Sequence, residues 1–258
     1  MEITILGTRG SVPVSGDEYK IFGGNTTCVR VLTNEAEVYL DAGTGIALAP
    51  VKNDRPLAVL ISHPHLDHVI GLPFFAALSD PEREIKIYGA AGIEDCMERL
   101  FSPPFWPLTV KEYPAHVDYI DICGSFCVGD IEIETMEGEH PGGSLIFKLS
   151  CNGNSFVFAT DYESGRDTDG KLIDFAEGAK LLIIDAQYTN KEYESRRGFG
   201  HSTPDCGMRI SERAGIDRVI FTHHAPEHTD DFLKSMEDSL DVSKIKAGFA
   251  RANETIIL

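Results

Sequence analysis

The 258-residue chain carries 23 Lys and Arg against 41 Asp and Glu, a formal net charge of −18, with 42% hydrophobic residues. It is long enough to bury a sizeable core, and its apolar runs fall far short of the ~20 residues that cross a bilayer. The start "MEITILGTRG" lacks the basic head and cleavage motif of an export signal. A cytoplasmic protein with no membrane partner is therefore expected. So negative a field also argues against docking of an extended nucleic acid, and it admits a small anionic substrate where a local metal ion reverses it.

No internal repeat or low-complexity linker divides the chain, so residues 1–258 read as one domain. In chain order, "EITILGT", "TTCVRVLT" and "EVYLDAG" are short β-rich runs separated by turn residues. They are followed by a buried, parallel-type strand, "PLAVLIS" at 56–62, and a helix opening near Leu66. The aromatic and proline-rich stretch 101–116 then reads as a surface loop packed on the core, with a lid carrying Phe105 or Trp106 as the alternative. His116 belongs to that loop. The second half repeats the strand pattern in "IEIETME", "SLIFKLSC", "SFVFATD", "KLLIIDA" and "RVIFTHH", with helices near 171–178, 204–214 and 229–239. The six cysteines contain no C-x-x-C; Cys123 and Cys127, separated by a three-residue spacer, have no second pair to complete a zinc site, and all six read as buried thiols.

Five strands end in an ionisable residue that periodicity does not explain: Asp41, His63, Asp161, Asp185 and His223. In α/β proteins such carboxyl ends gather at one edge, where sites form. The densest of them is "HPHLDH" at 63–68. His63 and His65 alternate in an extended turn, His65 and His68 are a helical step apart, and Asp67 adds an anion. Imidazoles so crowded are poor neighbours when protonated, and a cation that takes their lone pairs removes the conflict. His140 in "GEHPGG", Asp161 and His223 raise the candidates to seven, enough for two ions bridged by a carboxylate and a hydroxide. His224 adjoins His223, and spacing alone does not choose between them. Asp41 is expected to fix a metal-binding imidazole through its other ring nitrogen.

With "HPHLDH" and its distant His, Asp and His, the chain resembles the metallo-β-lactamase superfamily over nearly its whole length. The openings "LGTRGSVP", "GGNTTC" and "LDAGTG" and the late "GHST" at 200–203 are similar to the branch that includes ribonuclease Z, class II cyclic-nucleotide phosphodiesterases and the phosphodiesterase of phosphonate breakdown. The resemblance implies an α/β fold, the αββα sandwich of two mixed sheets with helices outside. It also implies that His63, His65 and His140 hold one divalent metal ion, that Asp67, His68 and His223 hold the other, and that Asp161 bridges them. Zinc is the first choice for a histidine-rich set, with manganese or iron admitted by the carboxylates. A glutamate at position 65 would have suggested the diiron redox branch.

The function so implied is hydrolysis of a small phosphodiester, a cyclic nucleotide or a relative, by attack of the bridging hydroxide, with Asp67 in both ligand and catalytic roles. His201 acts as a general acid or a stabiliser of developing charge, unless it only closes a loop ahead of the helix capped by Ser202 or Thr203. Asp185 matches a carboxylate of ribonuclease Z-like proteins and would orient His201. The alternatives are hydrolysis of a thioester, lactone or β-lactam, or a metal-binding sensor or scaffold without turnover. A homodimer is left open.

Overall fold

The computed structural model describes residues 1–52 and 54–258. Its first sheet is built from β1 (Glu2–Gly7), β2 (Cys28–Leu32), β3 (Glu37–Leu40), β4 (Leu57–Leu60), β5 (Glu84–Gly89) and β6 (His116–Asp121). The second uses β7 (Phe126–Val128), β8 (Ile131–Gly138), β9 (Ser144–Cys151), β10 (Asn154–Ala159), β11 (Leu181–Asp185), β12 (Arg218–Thr222) and β13 (Lys246–Phe249). A last strand, β14 (Thr255–Ile257), returns to pair with β1, so that the sheet orders are 14-1-2-3-4-5-6 and 13-12-11-10-9-8-7. Each sheet is antiparallel in its first part and parallel in its second, through β3–β6 and β10–β13.

The burial pattern follows from this layering. β8 is half-buried and alternates Ile131, Ile133 inward with Glu132, Glu134 outward, whereas "LAVL" of β4 and "LLIID" of β11 are apolar on both faces because both are covered. Between the sheets lie Val31, Leu40, Leu60, Phe147, Phe156 and Phe158, among others. A second apolar layer outside the first sheet takes Val69 of α1 (Leu66–Val69) and Ile93 and Met97 of α2 (Ile93–Leu100). The third, outside the second sheet, receives α3 (Arg166–Ala176), α5 (Pro204–Ala214) and α6 (Asp230–Asp238), while α4 (Asn190–Tyr193) buries nothing. This is the expected αββα sandwich.

Three expectations need correction or refinement. Only Cys28, Cys151 and Cys206 are buried; Cys96, Cys123 and Cys127 are exposed, because Cys96 rides the outer face of α2, Cys127 is the outward-facing middle residue of the short edge strand β7, and Cys123 lies in the segment before it. The stretch 101–116 is anchored by Trp106, which packs edge-on against Phe74 and Phe101, and it leaves Phe105 exposed; His116 opens β6 with its side chain in solvent. The helix after "GHST" spans Pro204–Ala214, with Thr203 as the cap that accepts from Cys206 N. Among the described residues no helix is long and apolar enough to cross a membrane.

Phe158 is fully buried between the sheets, close before Asp161. Phe158→Ala is expected to lower the unfolding free energy by about 3–5 kcal/mol, the usual cost of emptying an aromatic site, in a denaturant titration.

Candidate metal centre

The five polar strand ends converge because each comes from the parallel part of a sheet, where carboxyl ends share one edge. Backbone geometry aims them. Asp41, Asp161 and His223 take left-handed φ values of 60°, 49° and 63°, which turn the chain sharply as it leaves β3, β10 and β12. Such conformations cost roughly 1–3 kcal/mol each in a non-glycine residue and persist where the surroundings impose them.

Seven candidate ligands form two adjoining groups. In the first, Nε2 of His63 and Nε2 of His140 lie 2.9 and 3.2 Å from Nδ1 of His65, and 3.7 and 3.6 Å from Oδ1 of Asp161. In the second, Nε2 of His68 and Nε2 of His223 lie 3.3 Å apart, and 3.2 and 3.1 Å from Oδ2 of Asp67. The same two nitrogens are 3.0 and 3.1 Å from Oδ2 of Asp161. One carboxylate thus offers one oxygen to each group.

The donor set fits metal ions. His68 Nδ1–H donates to Asp41 Oδ2 at 2.8 Å, His140 Nδ1–H donates to the Gly200 carbonyl at 2.9 Å, and His63 Nδ1–H faces Ser62 Oγ at 3.1 Å. Ser62 is tied in turn to Asp41 through its N–H and hydroxyl. With those nitrogens protonated, the Nε2 lone pairs all point into one buried space, an arrangement that a cation satisfies and that outer hydrogen bonds orient. Electrostatics agree. Burial disfavours charge on His68 and His223, yet Asp161, Asp67 and Asp41 hold His68 well above the usual imidazole range, and Asp161, Asp67 and Asp185 hold His223 at about 9. Burial and the neighbouring His68 push His63 far down. Positive charge is wanted beside Asp67 and Asp161, and a divalent ion supplies it where protons otherwise must.

Of the two neighbouring histidines, His223 faces the cluster. His224 turns away from the cluster, donates through Nε2 to the Ala250 carbonyl and packs on Phe22 and Phe249; burial, then Arg9, lowers it to about 3. A third group joins Asp185 and His201 to Asp161 and His223. His201 Nδ1–H donates to Asp185 Oδ2 at 2.7 Å, and the imidazole stacks on His223 with centroids 4.9 Å apart. Asp185 Oδ1 accepts from the N–H groups of Gln187 and Ser202. His201 Nε2 makes no hydrogen bond among the described residues.

The sequence assigns no role to four contributors. Ser62 links Asp41 to His63, the Ser11 N–H donates to Asp67 Oδ2 at 2.7 Å, Glu163 accepts from the backbone beside His201, and Gly10 leaves room for His223. Each acts through space from a residue type common everywhere.

Fold and site define a metal-dependent hydrolase. A family model, the beta-lactamase superfamily domain, matches residues 37–224, and the chain belongs to that superfamily. It is similar to ribonuclease Z of Lactococcus lactis subsp. lactis (strain IL1403), 24% identical over 279 residues that cover 86% of this chain and 88% of the relative. Among solved structures, the metallo-β-lactamase fold protein YhfI of Bacillus subtilis superposes with a TM-score of 0.74 at 18% identity, covering 99% of both chains. The short form of human tRNase Z does so with 0.71 at 20%, covering 100% of this chain and 99% of its own. The ribonuclease Z and tRNase Z among these relatives, named for RNA, overturn the expectation that the net charge excludes an extended nucleic acid. A charge of −18 is a far-field sum, screened within about 8 Å in physiological salt. A phosphate at the mouth meets local groups, and Arg196 and Arg197 lie just ahead of His201.

A Cβ at position 10 would stand 2.2 Å from His223 Nδ1. Gly10→Ala is expected to displace the imidazole, so that after dialysis against equal free zinc the variant retains less metal than wild type by elemental analysis; equal retention would mean that the 7–12 loop yields instead.

Proposed function

We propose that the chain is a dinuclear metal-dependent phosphodiesterase, with residues 1–258 acting as one hydrolase domain. The observation that carries the reading is the division of Asp161, Oδ1 toward His63, His65 and His140 and Oδ2 toward His68 and His223, the two imidazoles that also meet Asp67. His63, His65 and His140 would hold one ion and Asp67, His68 and His223 the other, with Asp161 between; zinc is the first choice on donor type. When bound, the two ions supply positive charge that acidifies a water and neutralises phosphoryl oxygens.

The protein's own groups do the rest. Asp41 and Ser62 keep the His63 and His68 lone pairs aimed inward, and Gly200 does so for His140. Asp185 fixes the His201 tautomer by accepting from Nδ1, which leaves Nε2 to carry or receive a proton at the leaving oxygen. A small phosphodiester such as a cyclic nucleotide is the first substrate class; a hollow of about 430 Å³, lined by Ser62, Pro64, Ala91 and Gly143 among others, touches the cluster at His63. RNA stays within the substrate class, given the relatives. All seven ligand positions are filled, which favours turnover over a sensor or scaffold.

The direct test is to incubate the metal-loaded protein with bis-p-nitrophenyl phosphate, cyclic nucleotides and a precursor tRNA. Turnover of at least one is expected, and failure on all three would sink the reading. Asp161→Ala should reduce retained metal by one ion per chain, and two ions with intact activity would place the bridge elsewhere. His201→Ala should keep the metal and lose kcat by ~10²–10⁴-fold on an alkyl leaving group, and less on nitrophenolate, which departs without a proton. Equal losses on both would assign His201 to the phosphoryl oxygens.

A further inference from the structure

Beside the site the chain runs Gly198, Phe199, Gly200, and both glycines sit in left-handed backbone at φ of 85° and 89°. Their N–H groups donate to opposite oxygens of a single carboxylate, Gly198 to Glu163 Oε1 at 2.7 Å and Gly200 to Oε2 at 2.8 Å, and the Tyr193 hydroxyl donates to Oε1 at 3.0 Å. Glu163 is nearly buried and stands two residues beyond Asp161. The rim is therefore tied to the strand end that supplies the proposed bridging carboxylate. Gly200 also presses on His140, since a Cβ there would come within 2.1 Å of Nδ1.

Between two positions that favour glycine, one large side chain is thrown outward. Phe199 is 60% exposed. The loop thus spends two left-handed glycines and a buried carboxylate on displaying an apolar ring in water, which folding alone does not reward. Consecutive Cα atoms are about 3.8 Å apart, so the ring stays within a side chain's reach of His140. Tyr188 lies edge-on to His201 with centroids 5.7 Å apart, the Arg196 guanidinium covers Tyr188, and exposed Arg197 makes no ion pair among the described residues. Arg196 is paired with Glu227 and Arg197 lies over Tyr193, so the exposed Phe199 ring is the apolar face left open on this loop, and an aromatic face near a polar centre suits a ligand that joins a phosphate to a flat ring.

We infer that Phe199 is a specificity-determining residue, a fixed platform on which the nucleobase of a nucleotide substrate stacks while its phosphate occupies the His and Asp centre. The inference rests on the phosphodiesterase reading and adds a preference for nucleotide over simple alkyl phosphodiesters. Because the backbone is pinned, little ordering is left to be done on binding.

The test compares AMP with ribose 5-phosphate, which lacks the base, by calorimetry on the metal-loaded protein. Wild type is expected to bind AMP more tightly. In Phe199→Ala the AMP preference should fall roughly 5- to 150-fold, the range for one base–aromatic stack, and Phe199→Trp should restore it. An unchanged preference in Phe199→Ala, equal losses for both ligands, or a wild type that does not favour AMP would each overturn the inference. Turnover of bis-p-nitrophenyl phosphate is read on the same preparations. Its absence, together with absence of turnover on cyclic nucleotides and precursor tRNA, defeats the phosphodiesterase reading, whereas turnover with an unaltered AMP preference defeats the stacking role alone.

Discussion

Everything at this site depends on one buried carboxylate with nowhere to discharge itself. Asp161 is withdrawn from water between the two sheets' edges, and both of its oxygens face imidazole nitrogens. A charge so placed must be matched locally, since desolvation is repaid only by close partners of opposite sign and good geometry. The histidines around it are that match, whether they carry protons themselves or share a cation.

The matching reaches far along the chain. Asp41 at the end of β3 orients His68 directly and His63 through Ser62, so a residue of the first sheet sets groups on the helix and turn after β4. Arg9, fully buried, donates to the carbonyls of Gly23, Ala225 and His228, which ties the loop after β1 to the segment that follows His223. The Gly10 N–H continues that tie by donating to the His224 carbonyl. Segments distant in sequence are thus locked before any substrate arrives, which is what a preorganised centre requires.

How much of this could be read beforehand depended on whether the signal was local. Strands such as "LLIID" and "VIFT" declared themselves by continuous apolar runs, and their ends stood out because an ionisable residue closed each run. "SLIFKLSC" and the helix Pro204–Ala214 were legible in their bounds, the helix because a Ser or Thr cap followed by Pro204 marks its start. By contrast β5, "EIKIYG", hides its buried isoleucines among charges, β13 and β14 are too short to show a period, and α2 buries only Ile93 and Met97. Glu163 and Ser62 were invisible for another reason: nothing beside them in sequence announces the partners they meet in space. The net charge misled because it averages over a surface, whereas recognition is decided by the few groups at one mouth.

The left-handed turns at Asp41, Asp161 and His223 have a consequence for how this chain tolerates change. A glycine at any of them would relax the backbone and remove a side chain from the centre in the same stroke. Stability and chemistry therefore pull in opposite directions at these three positions. A search for hardier variants that scored folding alone would favour replacing them, and it would arrive at a sturdier sandwich with its strand ends stripped of purpose.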